Sequence, residues 1–110
     1  MEPLAQIVCL KKDGLDGLTY DMAERSCVIG RHLECDIRIQ KAEVSRQQVR
    51  IGIDENGSAT ITQLSKNSET LLNGVRVTDV MPLHTNDVFT VGGRHFRFIA
   101  GRFSSDFLLF

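Results

Sequence analysis

Five glycine-containing dipeptides, Asp13-Gly14, Asp16-Gly17, Asn56-Gly57, Asn73-Gly74 and Gly92-Gly93, cut this 110-residue chain into short apolar runs. Within the runs apolar and polar residues alternate: Val49, Ile51 and Ile53 with Gln48, Arg50 and Gly52, and Phe96 and Phe98 with His95 and Arg97. A period of two turns one face inward and the other toward water, as in a half-buried strand. No window holds apolar residues at i, i+3, i+4 and i+7 for long enough to make an amphipathic helix. The fold class that follows is all-β.

Asn-Gly between alternating runs marks a two-residue type I′ hairpin, because both central residues need positive φ. Two such hairpins are predicted. One joins Gln48 to Ile53 with Ala59 to Leu64, and the other joins Thr70 to Leu72 with Val75 to Val77. With Leu4 to Leu10, Leu18 to Met22, Cys27 to Ile29, Ile37 to Ile39, Asp87 to Val91 and His95 to Ala100, the chain holds about ten or eleven short strands, spaced as in a two-sheet β-sandwich. A chain of this length fits one domain and buries roughly 60 to 70% of its unfolded surface, so its core needs neither metal nor disulfide. The domain is assigned to residues 1–100. Residues 101–110, with three Phe and two Leu, form a tail that packs on something or frays.

Charge and side-chain chemistry remove several function classes. Thirteen Lys and Arg against fourteen Asp and Glu leave a net charge of −1, which lacks the basic footprint of a sequence-specific nucleic-acid binder. One Tyr and no Trp are too few stacking residues for an OB-like barrel. No apolar run approaches the roughly 20 residues of a membrane span, so no membrane partner is expected. Cys9, Cys27 and Cys35 are odd in number and show no C-x-x-C pair, which fits reduced thiols in an intracellular compartment. Cys27 and Cys35 read as buried small hydrophobes. His32, His84 and His95 have no metal-ligand spacing, so neither metal nor cofactor is expected. Without a nucleophile elbow or a glycine-rich phosphate loop, neither an enzyme nor a small-molecule substrate is expected. Asp36, Arg38, Asp54 and Glu55 read as a solvated face.

The connections that remain carry three polar clusters: Gly30-Arg31-His32, Ser45-Arg46-Gln47-Gln48, and Ser65 through Thr70 leading to Asn73-Gly74. Loops on a rigid sandwich are where binding residues usually sit. In order and spacing, Val28-Ile29-Gly30-Arg31, Cys35-Asp36-Ile37-Arg38-Ile39, Val44-Ser45-Arg46-Gln47-Gln48-Val49-Arg50-Ile51 and Thr70-Leu71-Leu72-Asn73-Gly74 resemble the signature of the forkhead-associated (FHA) domain. Leu83 to Gly92 resembles that family's closing strand pair, with Asn86 where Gly is usual, a mild exchange since Asn visits the left-handed region.

The resemblance implies a β-sandwich that binds a phosphothreonine-containing protein segment. Arg31 would then supply bidentate charge, Ser45 a hydroxyl donor and Arg46 a second basic group at the rim, matching a phosphate of −1.5 to −2 charge with three acceptor oxygens. Lys66, Asn67 and Ser68 would complete the site from the third loop, Asn67 where the family has a Thr hydroxyl and Ser68 where it has an Asn that holds the peptide backbone. Gly30, Gln48, Asn73 and Gly74 would support the loops, with Gln48 replacing a bracing His. The nearest likeness within the family implies a nuclear setting, at the nucleolus and the mitotic chromosome periphery. The altered third loop keeps a second reading open: a scaffolding sandwich whose phosphate pocket has decayed and which binds partners through a strand edge or apolar surface.

Overall fold

The computed structural model of the chain describes residues 2–101. The expected tail therefore lies outside the described residues, apart from Gly101. The strands are β1 (Ala5–Leu10), β2 (Asp16–Met22), β3 (Ser26–Gly30), β4 (Ile37–Arg38), β5 (Val49–Ile53), β6 (Ala59–Gln63), β7 (Thr70–Leu72), β8 (Val75–Arg76), β9 (Val80–Leu83), β10 (Val88–Val91) and β11 (Arg94–Ala100). They form a six-stranded sheet in the order β2-β1-β11-β10-β7-β8 and a five-stranded sheet in the order β4-β3-β5-β6-β9. The all-β, two-sheet expectation holds.

One core lies between the sheets. Ile7, Phe89, Val91, Phe96 and Phe98 from the first sheet meet Cys27, Ile29, Val49, Ile51 and Ile61 from the second, all essentially inaccessible to solvent. Phe89 and Phe96 are cross-strand partners whose rings stack with centroids 5.3 Å apart. Such a pair adds about 0.5 to 1.5 kcal/mol beyond its buried area.

Two details depart from the sequence reading. Strand β9 is absent from the strands expected from the sequence, and its Pro82 cannot donate to a ladder. It is an edge strand, where proline is tolerated, and pairs with β6 from Thr62↔Val80 to Ala59↔Leu83. Second, Asn73-Gly74 makes the expected two-residue turn, with φ of 49° and 82° and Leu72 opposite Val75, but Asn56-Gly57 does not. Only Gly57 has positive φ there (83°). Asp54 reshapes that turn: its Oδ1 accepts the amides of Asn56 and Ser58, both at 2.9 Å, so a three-residue loop replaces the type I′ turn. In agreement with that reading, Asn86 occupies the left-handed region, at φ 72°, as the exchange for Gly requires.

Candidate functional site

Strand β3 ends at Gly30 and the chain turns at once through residues 31–36 into β4, which lies parallel to it with Ile29 opposite Ile37 and Gly30 opposite Arg38. Parallel neighbours ordinarily need a connection of a dozen or more residues. Six suffice here because the pair is only two residues deep. Asp36 holds this loop, donating its amide to the Val28 carbonyl at 2.9 Å and accepting the Val28 amide on Oδ2 at 2.8 Å. Arg38 Nε donates to the Arg31 carbonyl at 3.1 Å. Asp36 and Arg38 were read as a solvated face; although exposed, they shape the loop that presents Arg31. Asp54 likewise organises its own turn.

The second loop, residues 39–48, packs directly on the first. The amide of Arg31 donates to Ser45 O at 2.9 Å and that of His32 to Arg46 O at 3.0 Å. A Cβ on Gly30 would collide with the Arg46 carbonyl oxygen and approach Ser45 O to 2.9 Å, so only glycine allows this contact. Arg31 Nε donates to Val44 O at 3.0 Å, which leaves its two terminal nitrogens unbonded among the described residues. Cys35 corrects an expectation: it is half-buried, not buried, and its Sγ donates to Arg46 O at 3.1 Å. Burial raises its pKa, and the fully buried Cys27 is pushed by burial to about 12.

Three hydroxyls join the second loop to the third. Ser45 Oγ lies 2.6 Å from both Ser65 Oγ and Ser68 Oγ. Ser68 Oγ is also 2.9 Å from Glu43 O. A carbonyl only accepts and each serine has one proton, so Ser68 donates to Glu43. Ser45 must then donate to Ser68, and Ser65 to Ser45, while Ser65 Oγ accepts the Asn67 amide at 3.0 Å. The proton of Ser45 is thus engaged, and an incoming anion receives it only if Ser45 releases Ser68.

Two glutamines lie beneath. Gln48, fully buried, accepts the Ser45 amide on Oε1 at 3.2 Å and donates from Nε2 to Glu69 O and Thr70 Oγ1, both at 3.0 Å. Gln63 Nε2 donates to Ser65 O at 2.8 Å and to Ser68 O at 2.7 Å. Sequence reasoning names Ser65 as the start of the third cluster but gives it no role, and it passes over Gln63 and Glu43. Gln63 could have been noticed as a polar residue where β6 runs into the third cluster; for Glu43 the sequence holds no signal, since it acts through its backbone carbonyl.

Arg31, Ser45, Arg46, Lys66, Asn67 and Ser68 all line one open recess of ≈ 840 Å³. Among the described residues the side chains of Arg46, Lys66 and Asn67 make no hydrogen bond, and all three are exposed. Asn73 and Gly74 are not part of this recess; they sit at the far end of β7, whose near end is Thr70. His32 Nδ1 accepts the Glu34 amide and His95 Nδ1 bonds Thr90. No group of three or more His, Cys, Asp or Glu side chains able to hold a metal is found among the described residues.

The FHA domain description matches residues 27–92, from β3 to the turn after β10. The chain belongs to the FHA domain family. FHA domains are interaction modules rather than enzymes. This FHA domain is similar to proliferation marker protein Ki-67 of Mus musculus, 35% identical over 101 residues, and to that of Homo sapiens, 36% identical over 98 residues. Those matches cover 92% and 89% of this chain but only 3% of either relative. Among solved structures it is similar to the N-terminal FHA domain of S. cerevisiae Rad53p in complex with a phosphothreonine peptide. There the TM-score is 0.76 at 19% identity, covering 89% of this chain and 94% of the other.

Proposed function

We propose that this FHA domain is a phosphothreonine-dependent interaction module and that the recess between its three loops takes the phosphate. The observation that carries this reading is the free end of the Arg31 guanidinium beside the Ser45 hydroxyl in one recess. Arg31 supplies a bidentate charge, Ser45 a hydroxyl donor, and Arg46 and Lys66 flank them. Asn67 offers an amide side chain at the rim, and Ser68 sets the Ser45 proton. A recess for one methyl would prefer phosphothreonine over phosphoserine by about 10- to 200-fold.

Charge-assisted hydrogen bonds contribute roughly 1.5 to 3 kcal/mol each. Two or three of them give roughly 3 to 9 kcal/mol against the −8.2 kcal/mol of a micromolar complex, and association itself costs at least about 4 kcal/mol, so the partner segment must touch more surface than the phosphate alone. The reading assigns no catalysis to the domain, and no membrane, small-molecule or sequence-specific nucleic-acid partner. Similarity to the Ki-67 relatives supports a nuclear setting, and we take that setting to be the nucleolus and the mitotic chromosome periphery.

The test is isothermal titration with a degenerate peptide library fixed at a central phosphothreonine, phosphoserine or unmodified threonine. The expected order is phosphothreonine, then phosphoserine, with no binding of threonine, and Arg31→Ala abolishes the difference. Equal binding of phosphorylated and unmodified libraries would overturn the reading and leave a scaffolding sandwich.

A further inference from the structure

The carbonyls that orient the side chains of the phosphate recess come from one short turn. It runs from Lys41 to Val44 and is closed by the Val44 amide on Lys41 O at 3.0 Å. Its last two residues supply both acceptors. Val44 O takes Arg31 Nε at 3.0 Å, and Glu43 O takes the Ser68 hydroxyl at 2.9 Å, which fixes the direction of the Ser45 proton. Ala42 and Glu43 are exposed, so burial along the turn does not hold it in place. Two contacts to the first sheet do. The Val44 side chain is buried against Gly92, where a Cβ would collide with Val44 Cγ2. The ammonium of the half-buried Lys41 donates to the Gly92 carbonyl at 2.6 Å and so ties the second loop to the β10–β11 turn. Glu43 Oε2 lies 3.7 Å from the same nitrogen.

We infer that Lys41 is a positioning residue for the phosphate recess: its bond to Gly92 O aligns the Glu43 and Val44 carbonyls, and through them Arg31 and Ser45, without touching the ligand. The inference rests on the function proposed above and deepens it. A turn held at Val44 alone is free to pivot about that side chain and to carry both carbonyls with it. The bond from Lys41 is a second point of attachment and removes the pivot. Arg31 is the sensitive end. Its bidentate grip needs both terminal nitrogens in the plane of two phosphate oxygens, and among the described residues the bond from Nε to Val44 O is what sets that plane. A binding constellation tolerates about 0.5 Å or 10 to 20° of error, and hydrogen bonds weaken steeply as they bend. Val44 stays anchored in the core when the Lys41 donor is lost, so the domain keeps its fold while the recess loses its alignment.

The experiment compares the parent with Lys41→Met and Lys41→Arg. Methionine keeps an unbranched apolar stem and removes the donor, whereas arginine restores a charged donor. In the free domain the NMR resonance of the Arg31 Nε–H group reports its bond to Val44 O. Calorimetry with the phosphothreonine and unmodified threonine libraries reports binding. Lys41→Met should shift the Arg31 resonance, speed its exchange with water and lower phosphothreonine affinity about three- to tenfold. Amide signals outside the three loops and the β10–β11 turn should match the parent. Lys41→Arg should restore the resonance and bring affinity within about twofold of the parent. An affinity loss with the Arg31 resonance unchanged would mean that Lys41 acts on the ligand by its own charge, and would overturn the inference. So would parent-like binding by Lys41→Met, or a loss that arginine does not repair. If the parent itself binds the phosphorylated and unmodified libraries equally, the function proposed above falls and the inference falls with it.

Discussion

Ser45 does not meet its ligand with a free hydroxyl. Its proton lies in a chain that runs from Ser65 through Ser45 and Ser68 to the Glu43 carbonyl, and phosphate must draw it away from Ser68. Ser68→Ala removes that competitor, so affinity for a phosphothreonine peptide should hold within about twofold or rise. Ser45→Ala removes a charge-assisted bond of roughly 1.5 to 3 kcal/mol and should lower affinity at least about tenfold. Calorimetry on both variants checks this; a tenfold loss from Ser68→Ala would make Ser68 a direct ligand instead. At this scale Arg31, Ser45 and Lys66 could be named as candidates from the sequence, through the order of the family motifs and because charge and hydroxyl chemistry belong to the residue itself. The direction of the proton chain could not, because it depends on a backbone carbonyl contributed by Glu43. Gln48 was noticed as a replacement for a bracing histidine, but its links to Ser45, Glu69 and Thr70 exist only once two loops are folded together.

Among the elements, the β7–β8 hairpin shows how a turn residue can hold more than its own turn. Asn73 takes φ 49°, and its side chain also donates to Asp87 Oδ1 at 3.0 Å and accepts the Val88 amide at 2.9 Å. Asn73→Ala removes both bonds and places a side chain that disfavours the left-handed region there, a cost of about 2 to 4 kcal/mol. Urea unfolding should show the loss as a lower midpoint with an unchanged slope. Phosphothreonine affinity at temperatures where the domain is folded should change little, since the hairpin is outside the recess. The same comparison explains which elements were legible. Asn73-Gly74 and the alternation of β5 and β11 state their conformations locally. Asn56-Gly57 looks identical to Asn73-Gly74, and what separates them is Asp54, whose carboxylate bridges two amides of its own loop. Strand β9 carries a proline that only an edge position permits, and sheet order is not written in a local window.

For the molecule as a whole, near-neutrality hides an uneven charge distribution, with Arg31, Arg46 and Lys66 gathered in the recess at the loop end. The ion pair of Asp16 with Arg97 ties the start of β2 to β11. The hydrogen bond from Arg97 holds the Asp16 pKa below its ordinary 3.8. A lowered folded-state pKa contributes stability that is full above the unfolded value and is lost as pH falls through the folded one. Asp16→Asn should therefore lower the urea midpoint slightly at neutral pH, and the difference from the parent should close on acidification below 3.8. The pair is exposed, so the effect is small.

The account stands on the phosphate entering the recess formed by the three loops. The most direct measurement is an amide nitrogen–proton NMR titration of the parent domain with Ala-Ala-phosphothreonine-Ala-Ala-Ala and with the same peptide lacking phosphate. The account predicts shifts concentrated at Arg31, Ser45, Arg46 and residues 65–68, caused by the phosphorylated peptide alone. Shifts of equal size from both peptides, or shifts confined to the sheet edges, would contradict it.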